Sequence, residues 1–135
     1  MRRCQLVCAI LLIAACGHKT PDQKLLEAAD PAASWSATLQ MTAETWLANS
    51  VPRSFVRATV DAANKAFDQT SREVAHSHAR QEFRAAIRGQ LDVAEAAAGD
   101  LKKAIENNDR NAVAGCARRF AAVHSALQQL EDKGK

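Results

Sequence analysis

Apolar side chains recur at alternating spacings of three and four residues along most of this chain, and this rhythm constrains the fold more than any other feature. Such spacing places side chains on one face of an α-helix, whereas a half-buried strand shows a period of two. Three of these stripes follow residue 55. They comprise Val56, Val60, Ala63, Phe67, Thr70 and Val74; then Phe83, Ile87, Leu91, Ala94, Ala98, Leu101 and Ile105; and last Val113, Cys116, Phe120, Val123, Leu127 and Leu130. The sequence therefore predicts three amphipathic helices over this part of the chain.

An earlier helical segment begins at Thr20, which is followed by Pro21 and Gln23 in the order typical of a capped helix start. We expect this piece to end at Ala29, because Pro31 disfavours a continuing helix, and a new helix to begin at Pro31. The stripe of the new helix consists of Ala32, Trp35, Leu39, Thr42 and Trp46. Its spacing places both tryptophans in the core.

The connections between helices are predicted to be short. Pro52 ends one helix near Ser50 and opens the next, and residues 107–109 separate the last two helices. We expect a turn at residues 76–78, with one unbroken helix over 52–106 as the alternative, and fraying over residues 131–135. The chain is rich in alanine, with five Gly, three Pro and no Tyr, which favours helix throughout. These features predict an all-α, up-and-down antiparallel bundle of about four helices over residues 22–132.

The N-terminus has a different character. Arg2 and Arg3 precede an apolar run over residues 6–15, which is the layout of a secretory signal peptide. The run is too short to span a bilayer, which takes about 20 apolar residues. It leads directly into Ile13-Ala14-Ala15-Cys16.

This tetrapeptide resembles the lipobox of bacterial lipoproteins, in which an aliphatic residue and two small residues precede a cysteine. The resemblance implies that residues 1–15 are a cleaved signal peptide, that Cys16 carries lipid, and that residues 16–21 form the lipidated cysteine and its tether. Several acyl chains on Cys16 would hold the chain firmly on a membrane. Gly17, where some lipoproteins carry the inner-membrane signal Asp, implies the outer membrane, facing the periplasm. The alternative is a secreted protein whose signal peptide contains cysteines.

Removal of residues 1–15 changes the charge and the cysteine count. The 18 basic residues fall to 16 with the loss of Arg2 and Arg3, so against 15 acidic residues the net charge is 16 − 15 = +1. This balance does not favour nucleic acid as a partner. Cys116 remains as the lone unmodified thiol, and its stripe position predicts a small core residue, with an intermolecular disulfide as the alternative.

Possible ligands for a haem or a metal are few. On a helix, His76 and His78 point in different directions and share no ion, whereas in a turn they could. His124 lies at the edge of the last stripe, two turns from Cys116. In b-type cytochrome bundles a Met on the first helix and a His on the last bind haem, but the spacing of Met41 points it away from the core. We therefore expect no bound cofactor.

Four arginines outline a basic face, namely Arg72, Arg80, Arg84 and Arg88, at spacings of four and eight residues. We expect Asp68 to pair with Arg72 and Asp92 with Arg88, which would partly neutralise this face. Near a membrane, the face would meet anionic lipid headgroups or an acidic partner.

No motif of a known enzyme class, such as a nucleophile elbow, a phosphate loop or a zinc-protease helix, occurs in the sequence. We therefore expect a non-enzymatic envelope lipoprotein that presents a helical bundle to an unknown protein or envelope partner. The alternative is a haem or metal carrier with its ligands in the bundle core.

Overall fold

The computed structural model describes residues 17–135, and within them the chain folds into four α-helices. These are α1 (Pro21–Leu47), α2 (Arg53–His76), α3 (Gln81–Glu106) and α4 (Arg110–Lys133). Each helix packs on the next, α4 returns to pack on α1, and α1 touches α3 across the centre. The predicted all-α bundle of four helices is confirmed, and the short connections make its neighbouring helices antiparallel.

Side chains cap the helix starts that the sequence indicates. The Thr20 Oγ1 accepts a hydrogen bond from the Gln23 backbone N–H at 3.2 Å, and the Thr20 N–H donates to the Gln23 side chain at 3.1 Å. At α4, the Asp109 carboxylate accepts the Ala112 N–H at 3.0 Å. Both caps satisfy backbone donors that a helix start leaves without intrahelical partners.

The break predicted at Asp30-Pro31 is wrong, because α1 runs through Pro31 without interruption. Pro31 has no N–H, so the Glu27 carbonyl loses its usual helical partner. Pro31 and Glu27 are both exposed, which leaves that carbonyl open to water. Ala29 and Ala32, on either side of the proline, are buried in the same core, and their packing keeps the two halves of α1 in line.

The turn expected at residues 76–78 is confirmed, and the alternative of one helix over 52–106 is wrong. α2 ends at His76 and α3 begins at Gln81. The Ser77 Oγ accepts the Ala79 N–H at 3.0 Å, and Ala79 is buried. This turn contains neither Gly nor Pro, the residues that usually mark such a connection. The hydrogen bond to Ser77 and the burial of Ala79 stabilise it instead.

The three stripes of α2, α3 and α4 form the core as predicted, with Leu130 half-buried at the end of the last one. In α1, Leu39 and Trp46 are buried, but Trp35 is only half-buried against the core and Ser36 takes the fully buried position beside it. The Ser36 hydroxyl donates to the Ala32 carbonyl at 2.8 Å, so its burial leaves no unpaired polar group.

The C-terminal segment does not fray as expected. α4 continues to Lys133, and Glu131 is half-buried. Gly134 closes the helix against α1 so tightly that a Cβ at this position would overlap the Leu26 side chain. The C-terminus of α4 therefore packs beside the beginning of α1.

Candidate functional site

Cys16, the predicted lipid attachment site, lies outside the described residues. Residues 17–20 are exposed and precede α1. They enter the bundle beside the turn at residues 77–80 and the C-terminus of α4, and we call this the N-terminal end. The turns at residues 48–52 and 107–109 form the opposite, distal end. α1 has 27 residues, so the two ends lie about 40 Å apart at a rise of 1.5 Å per residue.

Arg80 does not join the other three arginines of the predicted basic face. Its backbone N–H and its Nε donate to the Asp22 carboxylate at 2.8 and 2.6 Å, and its guanidinium lies 4.6 Å from the centre of the Phe83 ring. A further ion pair joins it to Glu82 at 3.0 Å. These contacts direct Arg80 towards α1 and neutralise it.

The Asp22–Arg80 contact also shifts the titration of both groups. Hydrogen bonds from the Arg80 backbone and then from its side chain lower the pKa of Asp22, and the bond to Asp22 raises the pKa of Arg80. Both shifts favour the charged pair.

Arg84 and Arg88 instead line a groove between α2 and α3 near the N-terminal end. Val74 and Ala75 form its α2 side, and Gln81 and Asp92 of α3 also line it. Arg88 Nη1 donates to the Ser71 hydroxyl at 2.7 Å, and Arg84 Nη2 donates to the Gln81 side chain at 2.6 Å. Within residues 17–135, neither guanidinium has a carboxylate within 4.0 Å.

Arg72 is exposed on α2, three residues before Ala75, and it is not among the residues that line this groove. The ion pairs predicted for Asp68 with Arg72 and for Asp92 with Arg88 are not formed within 4.0 Å. The helical spacing permits both pairs, but Arg88 extends to Ser71 on α2 instead.

An acidic cluster, formed by Asp68, Asp92 and Glu95, lies farther along the same two helices. Burial raises the pKa of Glu95, and the negative charges of Asp68 and Asp92 raise it further. The sequence pattern does not reveal this cluster, because Asp68 comes from a different helix than the other two. The α2–α3 face is thus basic near the N-terminal end and acidic towards the middle of the bundle.

The predicted histidine ligands do not converge. His76 and His78 lie beside a shallow cleft that is also lined by Lys24 and Glu73. The His124 Nδ1 lies 3.0 Å from the Ala33 carbonyl, which makes it a half-buried contact between α4 and α1. Met41 is 62% exposed, as its helical position predicts. Among residues 17–135, no group of three or more His, Cys, Asp and Glu side chains is arranged to hold a metal ion.

Cys116 is 3% exposed, so its predicted place in the core is confirmed. Burial raises the pKa of its thiol, and the nearby Arg119 only partly opposes this rise. A high pKa and a buried sulfur both lower the reactivity of a thiol.

The distal end carries the other prominent surface features. Phe55 is 49% exposed in the first turn of α2, next to the exposed Arg53. Arg110 lies 5.8 Å from the centre of the Trp46 ring and donates to the Leu47 carbonyl, which ties α4 to the end of α1. Phe55 was not singled out from the sequence, because an isolated exposed side chain carries no periodic signal.

In the part of the chain that the structure describes, no helix is long and apolar enough to cross a bilayer. The sequence matches no protein-family model, no curated protein and no solved structure.

Proposed function

We propose that this chain is a bacterial envelope lipoprotein, held by acyl chains on Cys16 in the outer membrane and facing the periplasm. Its role is non-enzymatic: it presents a helical bundle to a protein or envelope partner. The observation that carries the proposal is the sequence Ile13-Ala14-Ala15-Cys16, which directly follows a short apolar run and two arginines.

The position of the bundle relative to Cys16 supports this role. α1 begins at Pro21, so five residue steps separate the cysteine from the bundle. A fully extended chain spans at most about 3.6 Å per residue, which keeps the N-terminal end within about 18 Å of the anchor. The distal end, with Phe55 exposed, then lies on the far side of the bundle and is the surface offered to a partner.

Mass analysis of the protein extracted from membranes tests the anchor. We expect a mature N-terminus at Cys16 with added diacylglyceryl and acyl mass. Cys16→Ser is expected to abolish processing and lipid addition, whereas Cys8→Ser, a matched change within the signal peptide, is expected to leave both intact. A mature chain that begins at another residue, or that carries no lipid, would contradict the proposal.

Photocrosslinking in cells tests the partner surface. A photoreactive amino acid replaces Phe55 at the distal end, and in the control it replaces Gln129, which is exposed on α4 near the N-terminal end. We expect a discrete protein adduct from position 55 and none from position 129. The same adducts from both positions would argue against a specific distal surface.

The alternative of a haem or metal carrier has no specific observation in its favour within residues 17–135, since His124 contacts a backbone carbonyl and Met41 faces solvent. An absorption spectrum and a metal analysis of the purified protein test it directly. A Soret band or a stoichiometric metal would establish the carrier instead.

A further inference from the structure

The groove between α2 and α3 holds two cations that form no ion pair within 4.0 Å with the described residues, although the charge of Arg88 acts on the carboxyl of Glu95. Arg84 and Arg88 lie one and two turns into α3, and each guanidinium is positioned by a neutral partner, Gln81 or Ser71. These hydrogen bonds orient the guanidinium groups without cancelling their charge. Arg72 adds a third positive charge on α2.

Arg84 also carries an unsatisfied donor. Its Nε is buried without a hydrogen-bond partner, and it is the sole side-chain nitrogen or oxygen atom of the described residues in that condition. The missing partner shows that the protein does not satisfy all the donors of this guanidinium. Guanidinium groups bind phosphate oxygens through several N–H groups at once, so we assign the contact with a phosphate to the terminal Nη groups of Arg84 and Arg88 rather than to the buried Nε.

Ion pairs hold three other cations of the N-terminal end, whereas Lys24 and Lys133 form none within 4.0 Å among the described residues. Lys19 pairs with Glu27, Arg80 with Asp22, and Lys135 with Glu131. On the α2–α3 face, Arg84 and Arg88 lie side by side without an ion pair, and the acidic cluster begins at Asp92, one turn beyond Arg88 in the same groove. This gradient favours a contact with an anionic surface at the N-terminal end and opposes one farther along the groove.

The proposed anchor brings this surface close to a bilayer. Arg84 and Arg88 follow Arg80 by four and eight residues, which is about 6 and 12 Å along α3. Arg80 contacts Asp22 at the beginning of α1, and the tether confines that point to within about 18 Å of Cys16. A modest tilt therefore brings both guanidinium groups within the Debye length of the lipid headgroups, which is about 8 Å at physiological ionic strength.

We propose that Arg84 and Arg88, with Arg72 beside them, bind the phosphate groups of anionic membrane lipids and hold the bundle with its α2–α3 groove against the bilayer. This inference rests on the proposed lipid anchor, which supplies the high local concentration that a contact of two or three arginines requires. The contact fixes the tilt of the bundle at its N-terminal end and leaves the distal end, with Phe55, away from the membrane.

The test uses the mature protein extracted from cells and reconstituted into vesicles. Ala85→Cys, at an exposed position in the groove, carries a fluorophore, and a headgroup-labelled nitroxide lipid quenches it on contact. The parent protein is the labelling control, because its Cys116 is buried. Vesicles contain phosphatidylcholine with or without phosphatidylglycerol.

We expect strong quenching that depends on phosphatidylglycerol and is lost at about 1 M salt, where the Debye length falls to about 3 Å. Arg84→Gln/Arg88→Gln is expected to reduce the ratio of docked to undocked protein about thirty-fold, since each basic residue near an anionic surface contributes about 1 kcal/mol. Arg53→Gln/Arg118→Gln removes the same charge from exposed positions outside the groove and is expected to leave quenching unchanged.

The outcomes separate the two proposals. Wild-type protein that fails to float with vesicles overturns the lipid anchor and this inference with it. Protein that floats but shows equal quenching in both double variants overturns the groove contact alone. Binding of inorganic phosphate to the groove, together with quenching that is equal in vesicles with and without phosphatidylglycerol, assigns the groove to free phosphate and overturns the lipid assignment. Crosslinks from position 85 to an acidic protein, with none to lipid, also overturn it.

Discussion

The carboxylate of Asp22 accepts two hydrogen bonds from Arg80, one from its backbone N–H at 2.8 Å and one from its Nε at 2.6 Å. The two residues are 58 positions apart. The contact joins the first turn of α1 to the turn between α2 and α3, and so fixes the N-terminal end of the bundle. It also explains why Arg80 faces α1 while Arg84 faces the groove.

Asp22→Asn is expected to lower the free energy of unfolding at neutral pH and to have less effect in acid. The pKa of Asp22 is lowered in the folded state, so the contribution of its charge is complete above the unfolded value of about 3.9 and is lost as the pH falls through the lower folded value. Urea unfolding of both proteins over a pH series measures the difference.

Glu82→Gln is the control for this series, because Glu82 also pairs with Arg80 but makes no bond to the turn backbone. We expect it to have little effect at any pH. A stability difference between wild type and Asp22→Asn that persists unchanged at the most acidic pH would show that the charge of Asp22 is not the cause.

Pro31→Ala is expected to stabilise the protein by about 1–3 kcal/mol, because it restores a backbone hydrogen bond inside α1. Pro52→Ala is the matched control, since Pro52 caps α2 from outside the helix. At position 52 the substitution breaks no helical hydrogen bond, but it increases the conformational entropy of the unfolded chain. We therefore expect it to lower the free energy of unfolding by about 0.4–1 kcal/mol. Thermal and urea unfolding measure both. If Pro31→Ala leaves the free energy of unfolding unchanged or lowers it, the missing hydrogen bond does not destabilise α1 as we propose.

The outcome at Pro31 shows where sequence reasoning fails in this chain. The stripes of α2, α3 and α4 predict their buried faces because large apolar side chains recur at intervals of one to three helical turns. In α1, small residues such as Ala29, Ala32 and Ser36 occupy the buried face. A stripe of small residues gives little indication in a sequence of a buried helical face. The sequence therefore predicts a helix break at the proline, whereas tertiary packing keeps the helix continuous.

The basic face was predicted only in part, for a geometric reason. Arg80 and Arg84 are four residues apart, which predicts a shared helical face, but Arg80 is the N-cap of α3, with extended-type ψ of 143°. Helical periodicity does not extend across a cap. The buried Nε of Arg84 and the acidic cluster depend on contacts between helices, which local spacing does not encode.

Asn108→Ala is expected to destabilise the protein by about 1 kcal/mol, whereas Asn108→Gly is expected to be neutral or slightly stabilising. Asn108 has a φ of 52° in the turn after α3, a left-handed conformation that costs residues with a Cβ about 1–2 kcal/mol and glycine almost nothing. Urea unfolding measures both variants. Asn107→Ala is the control, because Asn107 has an ordinary φ of −85°. Equal effects of alanine at positions 107 and 108 would contradict the conformational explanation.

The Cys116 thiol is expected to resist modification in the folded protein and to react promptly once the protein is denatured. It is 3% exposed, and burial raises its pKa, so the reactive thiolate is both scarce and inaccessible. Ala122→Cys supplies the control, since Ala122 is exposed on the same helix. That variant is expected to react without denaturant, as measured with a chromogenic disulfide reagent. On non-reducing gels, wild type is expected to run as a monomer. Rapid labelling of the folded wild type, or a dimer that Cys116→Ser abolishes, would show instead that this sulfur reaches the surface and links two chains.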